Sequence, residues 1–559
     1  MENLVFVLIV VAVIFVIFLA GIRNQKLEDE RYIRKAQKNY GEYPRITYDN
    51  KYFTHVNKYY EKHKTDNHID DITWSDLDMD TVFARVNYCE SAAGQEYLYH
   101  TLRTPSDTDD YEELESHVKF LDENADVRTK MQLAFHKIGN NSKYSIYDYL
   151  DFLDALGKRS NAPHIIALII LVVAVIEMFF AFEVGFMMLL AILVYNVISY
   201  FKVKGEIDPY LSTFAYIMRL MKSASSISAL NVSEFQKEND ILKSNVDKLK
   251  SFQKGSGVLM SQTRMGGSGN PLDVLYDYIR IITHIDLIKF NQMYAEVAAN
   301  KDTIDEIVTV MGKVEMTISV ACFRKSLMGN YSLPVFDENS GISAEDMYHL
   351  LIDDPVVNSV TTNRGILLTG SNASGKSTFL KTVALCAVLS QTIHTSPAKS
   401  YKAPMFRIYS SMALRDDLSG GDSYYIVETK SLKRILDAAD KSKTKILCFV
   451  DEVLRGTNTI ERIAASAQIL KYFASIDVFC FAATHDIELT TLLDDYYDIY
   501  HFEGLVDNND VHFDYKLHHG PAVNRNAIKL LGLLGYDKSI IDDAENMAQN
   551  FEKNGIWTK

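Results

Sequence analysis

Apolar positions follow three different rhythms along this 559-residue chain. The first is unbroken. Leu4 to Ile22 has no polar interruption, and at about 1.5 Å per residue it can cross a hydrocarbon core about 30 Å thick. A second apolar block, Ile165 to Phe201, is interrupted at Glu177 and at Glu183-Val184-Gly185. It is too long for one crossing and suits two short ones joined by a tight turn near Glu183. The second rhythm is helical. From Thr73 to about Leu156, and again over residues 206–330, apolar residues recur at three- and four-residue spacing, broken by glycine-rich stretches at Gly255 and Gly266. The third rhythm starts at about Tyr348, where short β-rich runs alternate with helical ones, as in a parallel-sheet α/β domain.

Charge orients these segments. Glu2 precedes the first apolar run, and Arg23, Lys26, Arg31 and Arg34 follow it, which predicts an uncleaved anchor with its N-terminus outside. Lys158 and Arg159 precede the second block and Lys202 and Lys204 follow it, so both ends of a hairpin face the cytoplasm. The predicted organisation is a transmembrane anchor at 1–22, a polar juxtamembrane connector at 23–72, a first helical core segment at 73–160 and a transmembrane hairpin at 161–204. A helical core or lever with a clamp tip follows at 205–345, and a catalytic domain with C-terminal helices at 346–559. The predicted location is the cell membrane, multi-pass, with the catalytic domain cytoplasmic.

A net charge of -15 argues against broad, unspecific nucleic-acid binding, which needs a basic field. One stretch reverses that balance: Lys243, Lys248, Lys250, Lys254 and Arg264 cluster at the predicted tip with few acids. The five cysteines are scattered and lack C-x-x-C spacing, as expected of reduced, buried residues.

The chemistry lies in the last third. In "GILLTGSNASGKSTFLKTVAL" the pattern Gly370-x-x-x-x-Gly375-Lys376-Ser377 sits between an apolar strand and an amphipathic helix, the context a phosphate loop requires. Backbone N–H groups from Gly370 through Ser371, Asn372, Ala373, Ser374 and Gly375 can curl round a phosphate, and the following helix N-terminus, at Ser377 and Thr378, adds dipole charge. Lys376 can reach the β- and γ-phosphates, and the Ser377 hydroxyl can ligate Mg²⁺. In "KILCFVDEVLRGTN" a buried-strand pattern ends at Asp451, suited to the Mg²⁺ shell, and Glu452, suited to polarising the attacking water. "VFCFAATHDIELTTL" ends a third strand at His485, which can meet the γ-phosphate or that water. Between them, "DLSGGDSYY" places a turn at Ser419-Gly420-Gly421. The order phosphate loop, Ser-Gly turn, Asp-Glu strand, His strand is the layout of ABC-type ATPases, in which one subunit's turn caps ATP held by its twin.

These stretches together resemble the MutS mismatch-repair family of ABC ATPases. "TGSNASGKSTFLKTVAL", "DDLSGGDSYYIVET", "VDEVLRGTNT" and "FAATHDIELTTL" carry the resemblance over about residues 345–550, and "DYKLHHGPAVNRNAIKLLGLLG" is similar to the family's closing strand and dimer-contact helices. "NYCESAAGQEYLYHTLRTP" is similar to the helix that opens the family's core domain. The resemblance implies an α/β P-loop ATPase domain, a long all-α core or lever region and, with the apolar runs, about three transmembrane helices. It implies ATP and Mg²⁺ as ligands, catalysis by Lys376, Glu452 and His485, metal binding by Ser377 and Asp451, and action in trans by Ser419. The phosphate loop departs from the family pattern, reading Asn-Ala-Ser-Gly where repair proteins have Asn-x-Gly-Gly, as does Gly421-Asp422 in the turn. No N-terminal Phe-x-Glu mismatch-reading element and no nuclease module after the ATPase are found, so the resemblance carries over the ATPase cycle and does not by itself carry over mismatch recognition.

The function expected from the sequence is ATP hydrolysis at a homodimer interface that drives movement of the helical levers, with DNA or a protein as client. The alternative is a transport or membrane-remodelling ATPase acting on a protein or lipid client.

Overall fold

The computed structural model describes residues 2–44, 47–139, 145–157, 159–254, 278–371, 374–412, 424–442, 444–455, 457–506, 511–522, 528, 531, 535–555 and 557. Its first element is a single helix, Glu2–Lys38, so the segment expected to be a polar connector after residue 22 begins as a continuation of the apolar N-terminal helix. The polar half of this helix, with the turn after it, docks on the body. Tyr32 donates to Glu90, Tyr40 donates to Asp122 at 2.8 Å, and the Arg128 guanidinium lies 3.4 Å over the Tyr40 ring.

Among the described residues two helices, Ala162–Phe180 and Phe182–Ile207, are long and apolar enough to cross a membrane, against about three expected from the sequence. They pack antiparallel and break at Ala181, close to the turn expected near Glu183. Gly185 makes the tight return feasible: a Cβ there would lie 2.4 Å from the Met178 nitrogen. The apolar faces point outward, with Phe179 and Phe180 at the turn 85% and 83% exposed. A core helix pair of a soluble domain would bury such side chains.

The helical body is organised round Lys301–Ser326. Helices Ala92–Arg103, Glu112–Glu123, Leu211–Ser228 and Gln236–Lys248 all contact it. Over residues 310–324 every side chain except Lys313 is buried. Glu315, inside this helix, accepts the backbone N–H groups of Glu90 and Ser91 at 2.6 and 3.0 Å, where its carboxyl caps the start of Ala92–Arg103.

Two sheets follow. Strands β1 (Val335–Phe336), β2 (Ile342–Met347), β3 (Asn358–Thr362) and β5 (Ser400–Ala403) form a small sheet in the order β1-β5-β2-β3. The larger sheet contains β4 (Gly365–Gly370), β6 (Arg407–Ser411), β7 (Ile446–Asp451), β8 (Val478–Ala483), β9 (Tyr497–Val506) and β10 (Val511–His519), in the order β10-β9-β4-β8-β7-β6. Only the β9–β10 pairing in it is antiparallel. The alternate faces of β4, β7 and β8 serve two cores. Ile366, Leu368, Leu447, Phe449 and Phe481 pack with helix Lys376–Ile393 and the helical body, while Leu367, Cys448, Val450 and Cys480 pack with helices Tyr424–Ala439 and Thr459–Ser475. Burial on both faces explains why these strands read as continuous apolar runs. All five cysteines are free and buried.

Candidate active site

The carboxyl edge of the larger sheet gathers the motifs. β4 runs straight into the phosphate loop, which is bounded by Gly370 at φ 140° and Gly375 at φ 108°. Side chains are excluded there by space as well as torsion, since a Cβ on Gly370 would lie 2.6 Å from the Phe502 carbonyl. Gly375 caps helix Lys376–Ile393, whose N-terminus faces the loop. Lys376 is buried, and its ammonium donates to the carbonyls of Gly370 at 2.9 Å and Ser371 at 2.8 Å. Burial holds its pKa below the usual lysine range. The hydroxyls of Ser371 and Ser374 are buried without a partner among the described residues. A buried lysine beside orphaned hydroxyls and a helix N-terminus is a donor set matched to an oxyanion such as phosphate. Asn372 and Ala373 lie outside the described residues. Thr378 is exposed in the first helical turn.

The acidic residues meet this loop through sheet register. Asp451 pairs with Ala483 across β7 and β8, and the Ser377 hydroxyl donates to the Asp451 carboxylate. This hydroxyl–carboxylate pair offers hard oxygen ligands in contact, as a Mg²⁺ shell requires. Glu452 follows at φ 60°, its N–H donating to the Ala483 carbonyl at 2.9 Å. One of its carboxylate oxygens meets His485 Nε2 at 2.8 Å, and the other pairs with Arg455. The hydrogen bond from His485, reinforced by the Arg455 charge and opposed by burial, holds the Glu452 carboxyl below its ordinary range. Lys376, Ser377, Asp451, Glu452 and His485 are thus brought to one edge. Ser419, Gly420 and Gly421, and Arg264 of the basic tip, lie outside the described residues.

Several contributors escaped the sequence reading. Arg455 binds Glu452 directly. Arg462 donates twice to Asp486, at 2.8 Å and more closely, and so fixes the residue beside His485. Glu428 reaches the loop after Glu452 from helix Tyr424–Ala439. A 330 Å³ cavity adjoins the phosphate loop, lined by His349, Ile352, Pro355, Gly375, Thr378 and Tyr515 among others. Arg455 stands three residues after Glu452, and that short offset from Asp-Glu is a signal the sequence carries. The rest depend on contacts distant in sequence. Elsewhere, Glu113, His117 and Glu238 lie close enough to hold a cation, but the Lys313 ammonium already donates to both carboxylates there.

A phosphate loop, an Asp-Glu strand end and a histidine strand on one sheet edge define a P-loop ATPase domain of ABC type. Residues 366–552 match the family model for MutS domain V. The chain is 27% identical over 287 residues to a Haloarcula marismortui protein named DNA mismatch repair protein MutS 2, covering 50% of this chain and 28% of that one. It is 30% identical over 277 residues to the Natronomonas pharaonis DNA mismatch repair protein MutS (48% and 32% covered) and 30% identical over 276 residues to that of Thermotoga maritima (47% and 34%). The likeness to MutS proteins extends over about half of the chain, and the chain spans about a third of the length of the curated relatives it matches.

Proposed function

We propose that this chain is a membrane-embedded ATP hydrolase of the MutS type, working as a homodimer in which ATP binding and hydrolysis move the helical body. The observation that carries the reading is the convergence of Lys376, Ser377, Asp451, Glu452 and His485 on one sheet edge beside the orphaned Ser371 and Ser374 hydroxyls. In this reading the loop N–H groups and Lys376 hold the phosphates, and the cavity beside Gly375 and Tyr515 takes the base. Ser377 and Asp451 hold Mg²⁺, which when bound neutralises phosphate charge. Glu452 accepts a proton from the attacking water once His485 or Arg455 yields its oxygen, and His485 stays within hydrogen-bond reach of that centre. The turn Ser419–Gly421 completes the twin's site. The MutS names of the relatives make DNA the first client to test.

A second client class is favoured by a specific contact. The membrane hairpin is hydrogen-bonded to the helical body: Asn196 donates to the Ile282 carbonyl at 2.7 Å, His284 Nε2 lies 2.9 Å from the Asn196 carbonyl, and Tyr200 donates to Asp286 at 2.8 Å. Such a joint can pass movement of the body to the bilayer, which suits a protein or lipid client.

The test is ATP turnover and oligomeric mass of the purified full chain in detergent or nanodiscs, with and without duplex and branched DNA, for wild type and Glu452→Gln. ATP-dependent dimers trapped by Glu452→Gln, with turnover altered by DNA, support a membrane-tethered DNA clamp. Trapped dimers indifferent to DNA leave the motor and move the client to protein or lipid. Absence of both turnover and ATP-dependent association overturns the reading.

A further inference from the structure

The segment that carries Glu452 is unusual in its backbone. Glu452 and Leu454 both have positive φ, at 60° and 59°, although neither is glycine. Such torsions persist only where the surroundings impose them. Two contacts impose them here. The Glu452 N–H is tied to the Ala483 carbonyl at the end of β8, and the Leu454 N–H is tied to the carboxyl of Glu428. Glu428 is 3% exposed and belongs to helix Tyr424–Ala439, 26 residues before Leu454, whose N–H it accepts.

The same helix is fastened to the helical body one and a half turns further on. Arg434 donates to both Asp70 oxygens at 2.8 Å and to the Ser410 carbonyl. Asp70 in turn accepts the Thr73 N–H and caps the short helix Asp71–Asp76. Asp76 accepts the Ser410 hydroxyl at 2.6 Å and the Met412 N–H at 2.9 Å. Helix Tyr424–Ala439 therefore bridges the glutamate loop at Glu428 and Asp70 at Arg434, and Arg103 of helix Ala92–Arg103 ties the residues beside Asp70 to the helical body through the Ile69 carbonyl and Asp71.

We propose that Glu428 is a positioning residue for hydrolysis: through the Leu454 N–H it sets the loop that aims Glu452, and so makes turnover depend on how the helix Tyr424–Ala439 is seated against the helical body. The proposal rests on the ATPase reading of the site and names the part that would link it to the helical body. A displaced glutamate loop slows the chemical step while leaving the phosphate loop, which lies on a different strand, free to bind nucleotide. Burial pushes the Glu428 carboxyl above its ordinary range, and what the loop takes from it is a hydrogen-bond acceptor for the Leu454 N–H. Glutamine can fill that role and leucine cannot.

The experiment compares full-length wild type, Glu428→Gln and Glu428→Leu for kcat, KM and the stoichiometry of bound ATP. Expected are a roughly 10- to 100-fold lower kcat for Glu428→Leu, with KM and binding stoichiometry within about twofold of wild type. Glu428→Gln is expected to retain kcat within about threefold. Wild-type kcat in Glu428→Leu overturns the proposal, as does equal loss in Glu428→Gln. A fall in ATP stoichiometry parallel to kcat also overturns it, because misfolding then explains the loss. Failure of the underlying reading is separable, since in that case wild type itself turns over no ATP.

Discussion

Lys376 and Gly375 are neighbours with different physical duties, and their replacements should fail differently. The Lys376 ammonium is held by two carbonyls inside a buried loop, where it is poised to exchange them for phosphate oxygens. A charge-assisted hydrogen bond of this kind contributes about 1.5–3 kcal/mol, so Lys376→Met should weaken ATP binding roughly 10- to 100-fold, measured by calorimetric titration. Gly375 offers the loop only its backbone, and its φ of 108° is one that only glycine adopts cheaply. A Cβ there would also lie 3.2 Å from the Tyr515 ring, in the wall of the neighbouring cavity. Gly375→Ala should therefore lower stability by about 1–3 kcal/mol as well as ATP affinity. Denaturant unfolding separates the two: Lys376→Met should leave the midpoint nearly unchanged, and Gly375→Ala should shift it.

Elements are joined by contacts that no local pattern announces, and the clearest lies at the far end of the phosphate-loop helix. Helix Lys376–Ile393 ends at His394, and Arg324 of the central helix donates to the His394 carbonyl at 2.9 Å and to Thr395 Oγ1 at 2.8 Å. The same guanidinium grips Glu115 with two bonds, at 2.8 and 2.6 Å, and His394 Nδ1 meets Glu115 at 2.7 Å. A cation at a helix C-terminus is favoured by the dipole, and removing one partner of a buried pair costs about 3–5 kcal/mol. Arg324→Leu should destabilise by that order in chemical unfolding. Burial alone would raise the Glu115 carboxyl, but Arg324 and His394 outweigh it and hold its pKa at about 2. With an unfolded value of about 4.3, the sign follows: the stabilisation is complete above that pH and disappears as pH falls towards 2. After allowance for partial exposure it amounts to about 1–2 kcal/mol, so Glu115→Gln should lower stability at pH 7 and flatten the wild-type decline below pH 4. The ends of β4, β7 and β8 were legible in the sequence because strand, turn and reactive residue are contiguous there. Arg324 with Glu115, 209 residues apart, was not, nor was Glu428 with Leu454. Helical periodicity marks which face is buried, not which charge waits on it.

At the scale of the whole molecule the apolar hairpin makes membrane insertion testable. Helices Ala162–Phe180 and Phe182–Ile207 turn outward their apolar faces, and the most exposed aromatics stand at the turn, farthest from the contacts with Ile282, His284 and Asp286. Basic residues flank the opposite end, where Arg159 pairs with Glu206 at 3.0 Å. The positive-inside rule predicts that end on the cytoplasmic side of a membrane and the turn at Ala181 on the other side. All five native cysteines are buried, so an introduced thiol can be read against a low background. An impermeant maleimide applied to intact cells should label Glu183→Cys and spare Lys204→Cys until the membrane is permeabilised. Labelling of both positions in intact cells would put both ends of the hairpin outside. Protection of both would put the turn on the cytoplasmic side, as in a re-entrant pair or one that leaves the membrane altogether. Only the first pattern lets hydrogen bonds at Asn196 and Tyr200 carry movement of the helical body into a segment anchored across the bilayer.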